Sequence, residues 1–167
     1  MREIRIADVV NCPGAVSGIV IAIRCCGGRF KSNGGSVLNP DQPYFIPAEE
    51  GCFKKFICLK CGQFCDVSFS RSFFTVESNG LQLVYNGEQI AIVGNCYCQN
   101  NTLKDTWTGR SEKTHCVDSN RDGEYTFVCP CDRTHLLVVR KDGKHFHICT
   151  TGECPILTAK GETPKGG

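Results

Sequence analysis

The run FVCPCDRTHLLVVRKDGKHFHICTTGEC, Phe127 to Cys154, places Cys129 and Cys131 before an apolar stretch and Cys149 and Cys154 after it, with His145 and His147 between. Close pairs of soft ligands brought together by a hairpin are what a structural zinc ion requires, because a tetrahedron is readily built from two short-range pairs. An earlier segment repeats the pattern. Cys58-Leu-Lys-Cys61-Gly62 is a knuckle whose glycine permits the tight turn, and Cys96 and Cys98 close the stretch that follows. The expected ligand sets are therefore Cys58, Cys61, Cys96 and Cys98 for one zinc, and Cys129, Cys131, Cys149 and Cys154 for a second. Residues i and i+2 of a strand share a face, so His145 or His147 is an alternative to Cys154.

The chain holds 14 cysteines in 167 residues, so the remaining ones need a reading. Free cysteine packs well as a small hydrophobe, which is expected of Cys12 and of at least one of Cys25 and Cys26. His115 and His135 are expected to be solvated or hydrogen-bonded. Cys25, Cys26, Cys52, Cys65, His115 and Cys116 include enough ligands for a third metal, but no spacing among them requires it. Seven disulfides would also use every cysteine, given an oxidising compartment. The N-terminus MREIRIADVVNCPG lacks the apolar run of a secretory signal, and AVSGIVIAI is too short to span a bilayer. The expectation is an intracellular, cytoplasmic chain with reduced thiols and no membrane partner.

Catalytic motifs are missing. There is no His-x-Glu with Pro-Cys-x-x-Cys, no His-Glu-x-x-His, no phosphate-cradling glycine loop and no Gly-x-Ser-x-Gly elbow. The chain reads as a non-enzymatic binding protein, with a Cys/His hydrolase as an alternative class. Its net charge of +2, mixed locally as in RKDGKH, offers no large basic face for nucleic acid. A cellular zinc-ribbon protein contacting nucleic acid or the transcription or translation machinery is the other alternative. Protein partners are favoured, through Trp107, Phe74, Tyr97 and Arg71, with Phe69 and Phe73 turned into the core.

The elements that must position these groups are strands. GIVIAIRCC, DVSFSRSFFTVES, GLQLVYNGEQIAIVG, EYTFVC and HLLVVRKDGKHFHIC are rich in β-branched and aromatic residues. Asn86-Gly87 and Asp142-Gly143 are type I′ hairpin dipeptides. Only Met1 to Val10 and the stretch around Ala48 would admit a short helix. The fold class is mainly β, made of small antiparallel hairpins with two zinc-ribbon-like units and few or no helices. The expected division is an N-terminal β segment and loop over 1–50, the two units over 51–99 and 100–157, and a flexible tail over 158–167.

The segments CYCQNNTLKDTWTGRSEKTHC and YTFVCPCDRTH together resemble the cysteine-rich zinc region of the coronavirus second non-structural protein, over roughly a fifth of the chain. In that family the strand ends in Cys-Pro-x-Cys, one residue more than the CPC of this chain. Papain-like proteases of that virus order cleave after paired glycines, so Gly166 and Gly167 resemble a processing site. The resemblance implies a zinc-stabilised viral non-structural protein that engages host factors.

Overall fold

The computed structural model describes residues 2–10, 16–96, 101–141 and 145–151. Within them the chain alternates inward apolar and outward polar residues, and that period of two dictates strands. Arg2, Ile4 and Ile6 are buried while Arg5 is exposed, so the segment expected to admit a helix is instead β1 (Arg2–Val10). There follow β2 (Val16–Arg24), β3 (Phe30–Ser32), β4 (Val37–Leu38), β5 (Tyr44–Pro47), β6 (Cys52–Cys58), β7 (Phe64–Ser70) and β8 (Phe73–Ser78). The second half supplies β9 (Leu81–Tyr85), β10 (Gln89–Gly94), β11 (Leu103–Asp105), β12 (Ser111–Glu112), β13 (Thr114–Asp118), β14 (Gly123–Val128), β15 (Thr134–Arg140) and β16 (His145–Thr151). No helix occurs among the described residues.

The fold is all-β. One eight-stranded sheet has the order β12-β11-β14-β15-β16-β1-β2-β5, and the other has β13-β10-β9-β8-β7-β6-β3-β4. Every paired strand in these sheets is antiparallel. The inner faces close on one apolar core, in which Ile19, Ile21, Ile46, Phe146 and Val139 of the first sheet meet Phe30, Phe56, Val67, Leu83 and Ile90 of the second. Aromatic pairs cross the interface: Tyr44 packs edge-on against Phe56 at 5.1 Å and Tyr85 against Phe146 at 4.6 Å. Such pairs contribute about 1 kcal/mol each beyond the area they bury.

The strands do not partition as 1–50, 51–99 and 100–157. Residues 2–47 feed both sheets, since β1, β2 and β5 lie in the first and β3 and β4 in the second. The stretch 27–51, whose glycines and prolines suggest a loop or a domain boundary, contains β3, β4 and β5.

Turn chemistry also departs from expectation. Tyr85 pairs with Ile90, so Asn86 to Gln89 form a four-residue connection in which Asn86 Oδ1 accepts from the Glu88 and Gln89 amides, both at 3.0 Å. Of Asn86 and Gly87, only Gly87 has positive φ, which excludes a type I′ turn there. Asp142 and Gly143 lie outside the described residues, although the strands that flank them pair from Arg140 to His145. The two-residue turns with positive φ at both positions are Arg71-Ser72 and Asn79-Gly80. Arg71-Ser72 divides the expected single strand DVSFSRSFFTVES into β7 and β8. Glu50 holds that turn, one carboxylate oxygen accepting from the Arg71 amide at 2.9 Å and the other from the Ser72 amide at 3.2 Å.

Candidate metal centres

Two groups of sulfurs converge at one end of the sandwich. That end is fixed by register: β1 starts and β2 finishes there, β6 and β8 finish there, and Arg2 Nη1 donates across the sheets to Ser78 Oγ at 3.0 Å.

The first group is Cys25, Cys26, Cys58 and Cys61, whose sulfurs all lie within 4.8 Å of one another. Cys25 and Cys26 follow β2 of the first sheet, while Cys58 and Cys61 form the knuckle between β6 and β7 of the second. The knuckle is set by backbone bonds. The Gly62 amide donates to the Cys58 carbonyl and the Cys58 amide to the Gln63 carbonyl, both at 2.8 Å, with Gly62 at φ +80°. The Leu59 amide donates to the Arg29 carbonyl at 2.8 Å, which seats the knuckle beside the chain leaving Cys26. Cys26 Sγ lies 3.5 Å from Cys58 Sγ, and Cys25 Sγ 3.6 Å from Cys61 Sγ. Those separations exceed a disulfide bond of about 2.05 Å. They approach the edge of about 3.8 Å of a tetrahedron whose sulfurs stand ~2.3 Å from a central ion.

The electrostatics of this group favour a thiolate. Burial raises the Cys58 pKa, but the Cys61 and Lys60 amides aimed at its sulfur, with the thiols of Cys26 and Cys61, outweigh burial and hold it at about 7. Burial pushes Cys61 up to about 12, the neighbouring sulfurs of Cys25 and Cys58 adding to the rise. One sulfur of the set is thus primed to ionise first. A nearby cation would favour ionisation of the Cys61 sulfur beside it.

The second group is Cys96, Cys129 and Cys131, all buried. Cys96 follows β10 of the second sheet, and Cys129 and Cys131 form the turn between β14 and β15 of the first. Cys131 Sγ lies 3.3 Å from Cys129 Sγ and 3.4 Å from Cys96 Sγ. This knuckle is one residue shorter: the Asp132 amide donates to the Cys129 carbonyl at 2.8 Å and the Cys129 amide to the Arg133 carbonyl at 2.9 Å. Asp132, at φ +68°, holds the place that Gly62 takes in the first. Both groups can hold a metal ion.

The ligand pairing differs from the expected one. Cys58 and Cys61 meet Cys25 and Cys26 rather than Cys96, and Cys96 joins the Cys129 pair. Cys149 stands apart because it sits well along β16, opposite Leu136 and Glu3, with an outward parity set by the buried Ile148 and Thr150. Burial and then the Glu3 carboxylate raise its pKa. His147 shares that outer face and contacts Glu3. The histidine ring of position 145 is not described, and Cys12, Tyr97, Cys98, Cys154, Gly166 and Gly167 lie outside the described residues. The signal for Cys25 and Cys26 was present in RCCGG, a cysteine pair at the end of an apolar strand followed by glycines, with Gly27 at φ +89°. At Gly28 a Cβ would come within 2.6 Å of the Lys60 Cβ, so the loop closes on the knuckle only without a side chain.

Other cysteines and histidines have separate roles. Cys65 is fully buried, and burial raises its pKa to about 12, as for a packed thiol. Cys52 and Cys116 belong to neither group. His115 Nε2 meets the Leu103 carbonyl at 2.7 Å, and His135 Nδ1 the Thr150 hydroxyl at 2.9 Å. Burial, then the Arg133 charge, pushes the His135 pKa down to about 3, so the ring is neutral at physiological pH.

The proposed contact residues separate. Trp107 is 91% exposed on a turn in which the Gly109 amide donates to the Asp105 carbonyl at 2.7 Å and the Trp107 amide to Asp105 Oδ1 at 2.9 Å. Arg71 is exposed on its turn. Phe74 is a correction: it is buried, 4.6 Å from Phe69, while Phe73 faces outward. The two-residue turn sets Phe69 directly opposite Phe74 and Ser70 opposite Phe73, which reverses the expected parity.

No protein-family model matches the chain, and neither the curated proteins nor the solved structures include a match to it.

Proposed function

We propose that the protein is a non-enzymatic binding protein whose two sulfur groups each take a structural zinc ion. The observation that carries this reading is that each group draws thiols from both sheets, so an ion at either one clamps the sandwich at the same end. All-sulfur donor sets at tetrahedral spacing suit zinc, and a closed four-thiolate site leaves no position for a substrate. The second group supplies three described thiols, and Cys98, expected from the sequence to share an ion with Cys96 beside Cys58 and Cys61, is here the candidate for its fourth ligand.

In this reading the activity lies on the surface. Trp107, held out on a hydrogen-bonded turn, is the anchor for a partner protein. The outer face of the second sheet adds the exposed cross-strand neighbours Ile57 and Phe64, with Lys31 standing between Ile57 and Val37. The resemblance to the coronavirus zinc region makes host proteins of an infected cell the corresponding partners. Elemental analysis of protein purified under reducing conditions, with intact mass before and after alkylation, tests the metal reading. Two zinc ions per chain with every thiol alkylatable after unfolding are expected. Absence of metal, with a deficit of about 14 mass units for seven disulfides, would replace zinc by a cross-linked secreted scaffold.

A further inference from the structure

Two arginines stand inside the sandwich, each beside one of the sulfur groups. Arg2 is 2% exposed; Nη1 donates to Ser78 Oγ, Nη2 donates to Cys25 Sγ at 3.4 Å, and Nε has no partner. Arg133 is 3% exposed, follows the Cys129–Cys131 knuckle, and also has a buried Nε without a partner. Its guanidinium lies against Gly80, where a Cβ would stand 2.8 Å from Arg133 Nη1 and 3.5 Å from the Cys96 Cβ. Among the described residues, neither arginine makes an ion pair with a carboxylate, whereas Arg5, Arg24, Arg110 and Arg140 all do so on the surface. Glu77 lines the same cavity of 160 Å³ as Arg133 and one of its oxygens accepts from the Asn95 amide, but it forms no ion pair with the guanidinium.

A guanidinium does not lose its proton in a protein, so burial cannot be relieved by neutralisation and calls for a nearby negative charge. A divalent ion with four thiolates carries a net charge of −2, and with three thiolates −1. Building on the zinc reading, we infer that Arg2 and Arg133 are the counter-charges of the two metal–thiolate centres. Each favours ionised sulfur over the thiol and, in Arg2, donates an N–H to a ligand sulfur. Partners of this kind around a metal typically alter affinity by 10–100-fold.

The test replaces each arginine in the full chain by methionine, which keeps the stem volume without the charge, and by lysine, which keeps the charge. Zinc affinity is measured by chelator competition, and the sulfur-to-metal charge-transfer band is recorded after cobalt substitution. The expected result is a loss of about 10-fold or more in affinity at one of the two sites for Arg2→Met and at the other for Arg133→Met. A shifted cobalt band in Arg2→Met and substantial recovery in Arg2→Lys are also expected. Unchanged affinity and an unshifted band in the methionine variants, with equal losses of thermal stability with and without zinc, would make both arginines merely structural and overturn the inference. A wild-type chain that takes up no zinc would instead remove the zinc reading itself, and that is seen before any variant is made.

Discussion

The two sulfur groups are the same device built at two depths. In the first, Cys58-x-x-Cys61-Gly62 makes an open knuckle, and Cys26 and Cys61 remain exposed. In the second, Cys129-Pro130-Cys131-Asp132 makes a tighter one, and Cys96, Cys129 and Cys131 are all buried. Both close a hairpin, both return an amide to the first cysteine's carbonyl, and both recruit thiols from the opposite sheet. The extra residue in the first knuckle lifts a sulfur towards solvent. One cluster thus keeps thiols open to solvent, and the other is enclosed by the core around it.

The largest expected effect breaks both staples at once. Zinc binding in small domains is worth about 10 kcal/mol or more as folding free energy, so stripping the ions with a strong chelator should lower the melting temperature by ~20 °C or more. Calorimetry with and without chelator reads this. An unchanged midpoint would mean that the apolar core alone holds the sheets.

The difference between the groups should then appear in kinetics. Under limiting alkylating agent, the exposed Cys26 should be modified about 10-fold faster than Cys96, Cys129 and Cys131, because burial makes reaction at the latter wait on local opening. Mass-spectrometric mapping over time checks the order; equal rates would erase the distinction in depth.

A pH effect belongs to the second group's side of the core. The folded pKa of His135 is depressed to about 3 by burial and then Arg133, against about 6.5 in the unfolded chain. The unfolded state therefore binds a proton first as pH falls. The stability this ring contributes is complete above pH ~6.5 and is lost progressively towards pH ~3, at up to about 1.4 kcal/mol per pH unit. Denaturant titrations at pH 7 and pH 5.5 should show a shallower loss in His135→Gln than in the wild type.

The smallest effects separate the knuckles themselves. Gly62 faces open space, so Gly62→Ala meets only the strain of positive φ and should cost about 1 kcal/mol. Asp132 already carries that strain, and Asp132→Gly should be neutral or stabilising by a few tenths of a kcal/mol. Chemical denaturation of the zinc-loaded variants resolves the two, and costs of equal size would mean that the turns are held by something other than backbone conformation.

Much of the fold was legible because its signals are local. The alternation in IVIAI, FTVES and LQLVY places residues on strand faces whatever the strands pair with. The Cys-x-x-Cys-Gly knuckle declares its own turn, and CPC declares a pair. Misreadings arose where two local signals competed. REIRIADVV satisfies a strand parity with Arg2 inward, an assignment that makes sense only once Cys25 and Ser78 surround that guanidinium. Arg71-Ser72 lacks the glycine that marks a positive-φ turn, because Glu50, distant in sequence, satisfies its amides. Phe73 and Phe74 then exchanged faces as a direct result.

By itself the sequence determined that this chain is built of strands, that its cysteines come in close pairs, and that knuckles close two of its hairpins. Each of those properties depends on contacts within a few residues. Only the tertiary structure decided which pairs converge, since the partners of Cys58 and Cys61 are set by the stacking of one sheet on the other. Neither the Cys25–Cys26 pair nor Cys96 is near the rest of its group in sequence; each arrives where its strand ends at the common edge of the sandwich.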